Sequence, residues 1–491
     1  MNVLFASFEC APFAKVGGLG DVIGTLPRFL RARRRDVRVV LPLHRGIERA
    51  RHGLSPTAER VTVTVAGALH GGRIWEGRLA GGVPVYFVEC AAFFDRDEIY
   101  AGPQGDYPDN ALRFIFFCRA ALEVAKAMEF RPDIVHAHDM QTGLIPAFLR
   151  TTHRVDAWFN HTRSVFTVHN IAYQGVFPRE VHRIAGLGPA EFTPETAEFY
   201  GNINLMKAGI AFADAVTTVS PTYAQLISSS FAEAQGLEGI LAAVRTRGRL
   251  FGILNGVDYD EWNPTADPRI EAPFDADHPE GKRACTAALR ARCGFTDPSV
   301  PVLGMVSRLD ALKGFDLVVQ VLPRLLEDGR VQAVVLGRGA PDIRTALEEF
   351  QRRYPDRMKL YSEFDNDLAH AIYAGSDLFL MPSRSEPCGI SQMIAMTYGS
   401  IPVVFRTGGL ADTVEAWNPD TRTGTGFVFD RFDAGDCLRA VEIALAALAD
   451  PVQRAVLMRN AMTTDFSWKR SASQYVRVYE RLLSGRSRYT A

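Results

Sequence analysis

Short apolar runs alternate with stretches of helical periodicity along nearly the whole chain. In the first half the runs are Asn2–Ala6, Val37–Leu41, Val61–Val65, Val83–Val88, Asp133–Ala137, Ser164–Val168 and Ala215–Val219. In the second half they are Val302–Val306, Gln332–Leu336, Met358–Tyr361, Leu378–Met381, Pro402–Phe405 and Gly426–Phe429. Helical patterns such as Asn110–Ala127 and Asp433–Leu448 separate many of them. Strands alternating with helices in this way predict an α/β chain with parallel, doubly wound sheets. The rhythm breaks between Asp258 and Pro301, a stretch holding Pro264, Pro268, Pro273 and Pro279 and little strand signal. A strand at Leu250–Leu254 precedes the break, so a linker is expected near Gly256. A chain of 491 residues exceeds one typical core, and two domains are expected.

Three junctions share one grammar of strand, polar loop and helix. The strand Asn2–Ala6 runs through Glu9 and Pro12 into KVGGLGD (Lys15–Asp21), and Val22–Leu30 then has helical spacing. A Gly17-Gly18 pair there exposes backbone N–H groups, with the Lys15 cation beside them. Taken alone, the segment is open to an ordinary turn with a solvated lysine. It is neither G-x-G-x-x-G nor a Walker A loop. In the second half, Val302–Val306 delivers Arg308, a short loop delivers Lys313, and Gly314 opens an amphipathic helix through Leu317, Val318, Val321 and Leu322. Two cations so placed can converge on one diphosphate, each charge-assisted hydrogen bond contributing roughly 1.5–3 kcal/mol. The third junction joins Leu378–Met381 to a helix over Ile390–Met396, with Glu386, Pro387, Cys388 and Gly389 beyond the carboxyl end of the strand. Ligands of α/β sheets bind there, and helix-opening amides favour anions. The pattern alone leaves Glu386 open between a ligand contact and a carboxylate complementing a helix N-terminus.

Alternation along Asp133–Ala137 puts His136 and His138 on one side of a strand, with Asp139 after its end. H-x-H is half of a metal site at most, and no third ligand accompanies it.

Composition narrows the function classes. The residues are 47% hydrophobic and 23% charged, near the globular average. A formal net charge of −1 gives no general attraction to nucleic acid or acidic membranes. The basic run Arg31-Ala32-Arg33-Arg34-Arg35 is expected to end the first helix, where it favours the negative pole. Seven cysteines without a C-x-x-C pair point to reduced, structural thiols and a cytoplasmic location. Residues 1–15 contain Glu9, Pro12 and Lys15 instead of a signal-peptide core, and no apolar run has the length of a membrane span.

Seven motifs occur in order: KVGGLGD (Lys15–Asp21), HAHDMQTGL (His136–Leu144), TVHNIAYQG (Thr167–Gly175), ILNGVD (Ile253–Asp258), SRLDALKG (Ser307–Gly314), SEPCGISQ (Ser385–Gln392) and RTGGLADTV (Arg406–Val414). Together they resemble the bacterial glycogen synthases and plant starch synthases, collinearly from residue 1 to about residue 480. The resemblance implies the GT-B architecture, two Rossmann-like domains facing across a cleft. Its expected bounds are 1–255 for an acceptor-side domain, 256–465 for a nucleotide-sugar domain, and 466–491 for a C-terminal helix, about Trp468–Leu483, crossing back to the first.

The implied reaction moves glucose from ADP-glucose to the non-reducing end of glycogen or a maltooligosaccharide, with retention. Neither cofactor nor metal is implied, and neither nucleic acid nor membrane is a partner. The resemblance assigns Arg308, Lys313 and Lys15 to the donor diphosphate, aided by amides of Gly17, Gly18, Gly408 and Gly409. It assigns Glu386 to sugar hydroxyls and Cys388, Gly389 and Ile390 to the glucose pocket. His169 would lie on the face where the acceptor attacks, with Asp139, Asn170, Asn255 and Asp21 as further substrate contacts. Many related retaining transferases carry a second Glu eight positions after the first; here that position is Ile394. With no carboxylate pair evident, front-face displacement is preferred to a covalent intermediate. Competing readings are a UDP-glucose or small-acceptor transferase, a glucan-binding protein without activity, and a nicotinamide oxidoreductase. The absent G-x-G-x-x-G disfavours the last.

Overall fold

In the computed structural model, which describes residues 1–363 and 365–485, the first apolar run forms the strand Asn2–Ala6 in the interior of a nine-stranded sheet. Its order is Leu250–Gly252, Ala215–Thr218, Arg163–Val168, Ile134–His138, Asn2–Ala6, Asp36–Pro42, Pro84–Glu89, Ala68–Arg78 and Ser55–Val65. The first seven pair in parallel. The last two are antiparallel, a departure from the all-parallel expectation. There the predicted Val61–Val65 is one end of a longer strand that turns at Ala66-Gly67 (φ 51° and 80°) and returns as Ala68–Arg78. The cause is legible in burial: Val61, Val63 and Val65 are inside while Thr62 and Thr64 are exposed. Such alternation suits an edge ribbon with one wet face, unlike the buried central strands.

The chain folds into two compact units, one of Met1–Leu254 with the helix Trp468–Ser484, the other of Asn255–Ser467. The C-terminal helix thus completes the first unit. Trp468, Ala472, Tyr475 and Tyr479 share a core with Val3, Phe5, Ile23, Leu26 and Leu30. This also corrects the reading of the basic run. Arg33 donates to the Lys469 carbonyl at 3.0 Å, and Arg35 pairs with Glu480 at 2.7 Å. Those arginines fasten two helices together as well as facing the end of Gly18–Arg31.

In the second unit six strands, all parallel, run in the order Met358–Tyr361, Gln332–Leu336, Val302–Val306, Leu378–Met381, Ile401–Phe405 and Phe427–Phe429. The proline-bearing stretch before it also forms a helix, Glu280–Cys293. Its Lys282 is buried, and the ammonium donates to the Ala374 and Tyr398 carbonyls and to Ser400 Oγ at 2.8–3.2 Å. Among the described residues no helix is long and apolar enough to cross a membrane.

Candidate active site

Strand order reverses in the second sheet between Val302–Val306 and Leu378–Met381, and such switch points open a crevice at the carboxyl ends of the strands. The loops Ser307–Lys313 and Pro382–Gly389 leave the sheet side by side there. Arg384 N–H donates to the Leu312 carbonyl at 2.9 Å. Gly314, at φ 77°, permits the approach: a Cβ on it would stand 2.0 Å from the Pro382 carbonyl oxygen. Asp310 caps the short turn Ala311–Lys313 by accepting from Lys313 N–H at 2.9 Å.

This packing brings Lys313 Nζ to 2.7 Å from Glu386 Oε2. The Glu386 side chain is 8% exposed and that of Lys313 21%, so the pair is largely withdrawn from water. Glu386 is therefore neither solvated nor merely opposite a helix end. Arg308 is looser, 3.6 Å from Asp310 and mostly exposed. Behind Glu386 lies the Gly408-Gly409 pair. A Cβ on Gly408 would meet the Glu386 carbonyl oxygen at 2.1 Å, and one on Gly409 the Cys388 carbonyl oxygen at 2.0 Å. Gly409 N–H donates to the Glu386 carbonyl at 2.9 Å. That corrects the expectation that this amide is available to an anion: these glycines let two loops touch.

Cys388 is buried, and the burial pushes its thiol up to about 12, partly opposed by the Asn255 backbone N–H. It is no thiolate nucleophile at neutral pH. Asn255 is itself buried, and its Oδ1 has no hydrogen-bond partner. Gly389 takes φ 72°, and Ile390 follows as the residue before the helix Ser391–Thr397.

In the first sheet the order reverses between Asn2–Ala6 and Ile134–His138. The loop leaving Ala6 differs from expectation. Glu9 is buried, and its Oε2 accepts from the N–H groups of Val16 and Gly17 at 2.7 and 2.9 Å. The Gly17 amide is thus already engaged by an internal carboxylate. Gly18 opens the helix Gly18–Arg31, and Lys15 pairs with Asp21 at 2.7 Å on an exposed face. Sequence reasoning missed what holds Glu9. Tyr100 O–H donates to its Oε1 at 2.6 Å. Asn110 Nδ2 donates to the Tyr100 carbonyl, and the wholly buried Arg113 to the carbonyls of Phe93 and Ile99. A glutamate ahead of a Gly-Gly loop was the available signal.

His136 and His138 do share a side, their rings 4.1 Å apart. His136 lies between the Tyr479 and Thr167 hydroxyls at 2.7 and 2.6 Å. His138 Nδ1 is 3.0 Å from His169 Nε2. Burial lowers all three histidines, His169 to about 3, so the cluster is neutral at pH 7. Asp139, at φ 56°, accepts from His169 N–H at 2.7 Å. Burial raises its carboxyl to about 7 against the opposing backbone N–H groups of His169 and Asn170. Its carboxyl group thus holds the backbone of the loop that carries His169. Asn170 Oδ1 accepts from Ala172 N–H at 3.0 Å.

Among the described residues no group of three or more His, Cys, Asp or Glu is disposed to hold a metal ion. A cavity of about 470 Å³ opens beside Leu43, Arg45, Arg49 and Glu89, away from these residues. Its arginines are already paired, Arg49 with Glu89 and Arg45 with Asp95.

Comparison with known proteins gives concordant matches. The family described as "Starch synthase catalytic domain" matches residues 2–243, and "Glycosyl transferases group 1" matches residues 295–461. Glycogen synthase 2 of Geobacter sulfurreducens is 47% identical over 480 residues, covering 98% of each chain. Glycogen synthase of Thermotoga maritima is 43% identical over 495 residues, covering 99% of each. The solved catalytic domain of starch synthase IV from Arabidopsis thaliana, bound to ADP and acarbose, superposes with a TM-score of 0.88 at 35% identity. That match covers 98% of this chain and 99% of the other. Sucrose-phosphate synthase from Thermosynechococcus elongatus, with a TM-score of 0.60 at 17% identity, shares the fold alone.

Proposed function

We propose that this chain, which belongs to the glycogen synthase and starch synthase family of glycosyltransferases, transfers glucose from ADP-glucose to the 4-hydroxyl at the non-reducing end of an α-1,4-glucan. The observation that carries the reading is the Lys313–Glu386 pair at the switch point of the second sheet. A cation for phosphate and a carboxylate for sugar hydroxyls stand one hydrogen bond apart there, as a nucleotide sugar requires. The ADP and acarbose of the Arabidopsis enzyme support the same donor and acceptor classes here.

In the proposed reaction the bond from the anomeric carbon to the diphosphate oxygen breaks as the acceptor oxygen approaches on the same face. The acceptor proton passes to the departing phosphate oxygen. Charge develops on that leaving group, and preorganised cations lower the barrier most. Lys313 and Arg308 take this role, and Glu386 exchanges part of its ion pair for sugar hydroxyls. The unpartnered Oδ1 of Asn255 beside Cys388 suits a donor hydroxyl, with Cys388, Gly389 and Ile390 lining the sugar. On the first unit Lys15, Gly18, Asp21 and Asn170 remain proposed substrate contacts. His169 is neutral, so its contribution is shape and a backbone carbonyl instead of a proton. Seven unpaired cysteines accord with a cytoplasmic setting.

The test incubates purified protein with glycogen and either ADP-glucose or UDP-glucose, and measures diphosphate release and glucose incorporation. Incorporation is expected from ADP-glucose, to persist in excess EDTA, and to fall by about 10²–10³ in Lys313→Ala, comparable to loss of one oxyanion donor. Transfer to a small acceptor but not to glucan, or undiminished turnover in Lys313→Ala, would refute the assignment.

A further inference from the structure

A sheet ends in two edges whose N–H and C=O groups meet no further strand, and natural sheets blunt such edges. Among the described residues the two large sheets have four edges, and three of them are short. Leu250–Gly252 and Phe427–Phe429 have three residues each, and Met358–Tyr361 has four with Lys359 among them. The fourth edge, Ser55–Val65, has eleven. Its first half is defended, for Pro56, Glu59 and Arg60 lie there and the pairing register slips between Pro56 and Arg60. Its second half, Val61-Thr62-Val63-Thr64-Val65, holds no charge, proline, glycine or bulge. Uncharged, β-branched runs of this kind pair most readily with another strand.

The hairpin fixes which backbone groups face outward. Ala66-Gly67 is a two-residue turn with both φ positive, and Val65 pairs with Ala68 across it. Such a turn is closed by a hydrogen-bonded pair, and bonded and unbonded pairs alternate from there. Val65, Val63 and Val61 therefore bond to the neighbouring strand, while Thr64, Thr62 and Arg60 turn their N–H and C=O groups away from it. Arg119 agrees with this direction, since its guanidinium donates to the Thr64 carbonyl from the helix Asn110–Ala127. One lone pair of that carbonyl stays open. The side chains of Thr62 and Thr64 are exposed, as is Leu69, opposite Thr64 in the ribbon and 75% exposed.

We propose that this bare half-edge pairs with the same strand of a second copy of the chain, antiparallel about a two-fold axis, joining two nine-stranded sheets into one. A two-fold contact must be self-complementary, and charge selects the register. Centring the pair on Thr62 sets that residue against Thr62 of the second copy and Arg60 against its Thr64. Like charges directly opposite would be destabilising, and cross-strand threonines are favourable neighbours. Centring the pair on Arg60 would oppose two cations, and centring it on Val61 would draw the slipped residues before Arg60 into the ladder. About six backbone hydrogen bonds close in the Thr62 register. The stem of each Arg60 then reaches over the opposite Thr64 toward the exposed Leu69. A second copy fits better than a foreign strand, because its charges and threonines match this edge by symmetry.

Sedimentation velocity of the full chain across a dilution series reads the contact. Wild type should pass from monomer to dimer with concentration, and its Thr62 amide should exchange hydrogen more slowly in the concentrated sample. Thr62→Pro removes one outward N–H from each copy and none of the internal ladder. Its dissociation constant should rise about thirtyfold, the loss of two net hydrogen bonds, while the dilute protein keeps its melting temperature. Thr62→Lys sets two cations face to face, so it should be monomeric at low salt and regain the dimer at high salt. Thr62→Val should dimerise as wild type does. A wild type that stays monomeric throughout would overturn the pairing, as would a dimer that Thr62→Pro leaves intact. Should proline disturb the ribbon itself, Thr62→Lys decides alone, and dimerisation of that variant without regard to salt would refute the contact.

Discussion

A single carboxyl group shows how burial and hydrogen bonding contend. Asp139 holds the backbone of His169, yet its burial raises it to about 7. The folded state therefore binds this proton more tightly than the unfolded chain, whose Asp titrates near 4. Its contribution to stability is full below that value, declines as pH rises toward 7, and is flat above. Asp139→Asn cannot lose this proton. Its melting temperature relative to wild type should rise between pH 4 and 7, while transfer falls roughly ten- to a hundredfold as the loop shifts. Scanning calorimetry at pH 5 and 7.5 checks the first, and the glucose-transfer assay the second. A constant difference in melting temperature would show that the group is not perturbed. Lys313 and Glu386 were legible as candidates from the strand, loop and helix grammar around each. Their contact was not, because it depends on sheet order between residues 73 positions apart.

Elements explain what the local pattern could and could not reveal. Central strands are buried along their length and stood out, and the predicted helix Asn110–Ala127 forms with those bounds. The ribbon Ala68–Arg78 did not stand out, since its face pattern is interrupted by Gly71, Gly72 and Gly77. The strands Val176–Phe177, Glu198–Phe199 and Asn202–Asn204 are too short for any period to register. The loop Ser7–Gly17 was legible as a strand-to-helix junction, but the engagement of its Val16 and Gly17 amides by Glu9 was not. Glu9→Ala should strip Val16, Gly17 and Tyr100 of their common acceptor. A loss of about 1–3 kcal/mol is expected for such orphaned donors. Hydrogen exchange should quicken at Val16 and Gly17 while Asn2–Ala6 stays protected. Unchanged protection in the loop would remove Glu9 from its organisation.

Over the whole molecule, the fold class followed from the repeated alternation and from the interruption after Leu254. The place of the last helix was implied by the family resemblance alone, because an amphipathic pattern does not announce which core it will cover. Its placement has a consequence for synthesis. A ribosome delivers residues in order, yet the first unit lacks Trp468, Tyr475 and Tyr479 until all of Asn255–Ser467 has been made. The earliest-born half of the protein is the last to be finished, waiting with one flank of its core uncovered while the later-born unit folds to completion. Nascent chains stalled after residue 467 clear the exit tunnel should yield a protease-resistant fragment from the second unit and none from the first. Extension through Ser484 should protect both at once, and early protection of residues 1–254 would show that the helix is an accessory and not a closing piece.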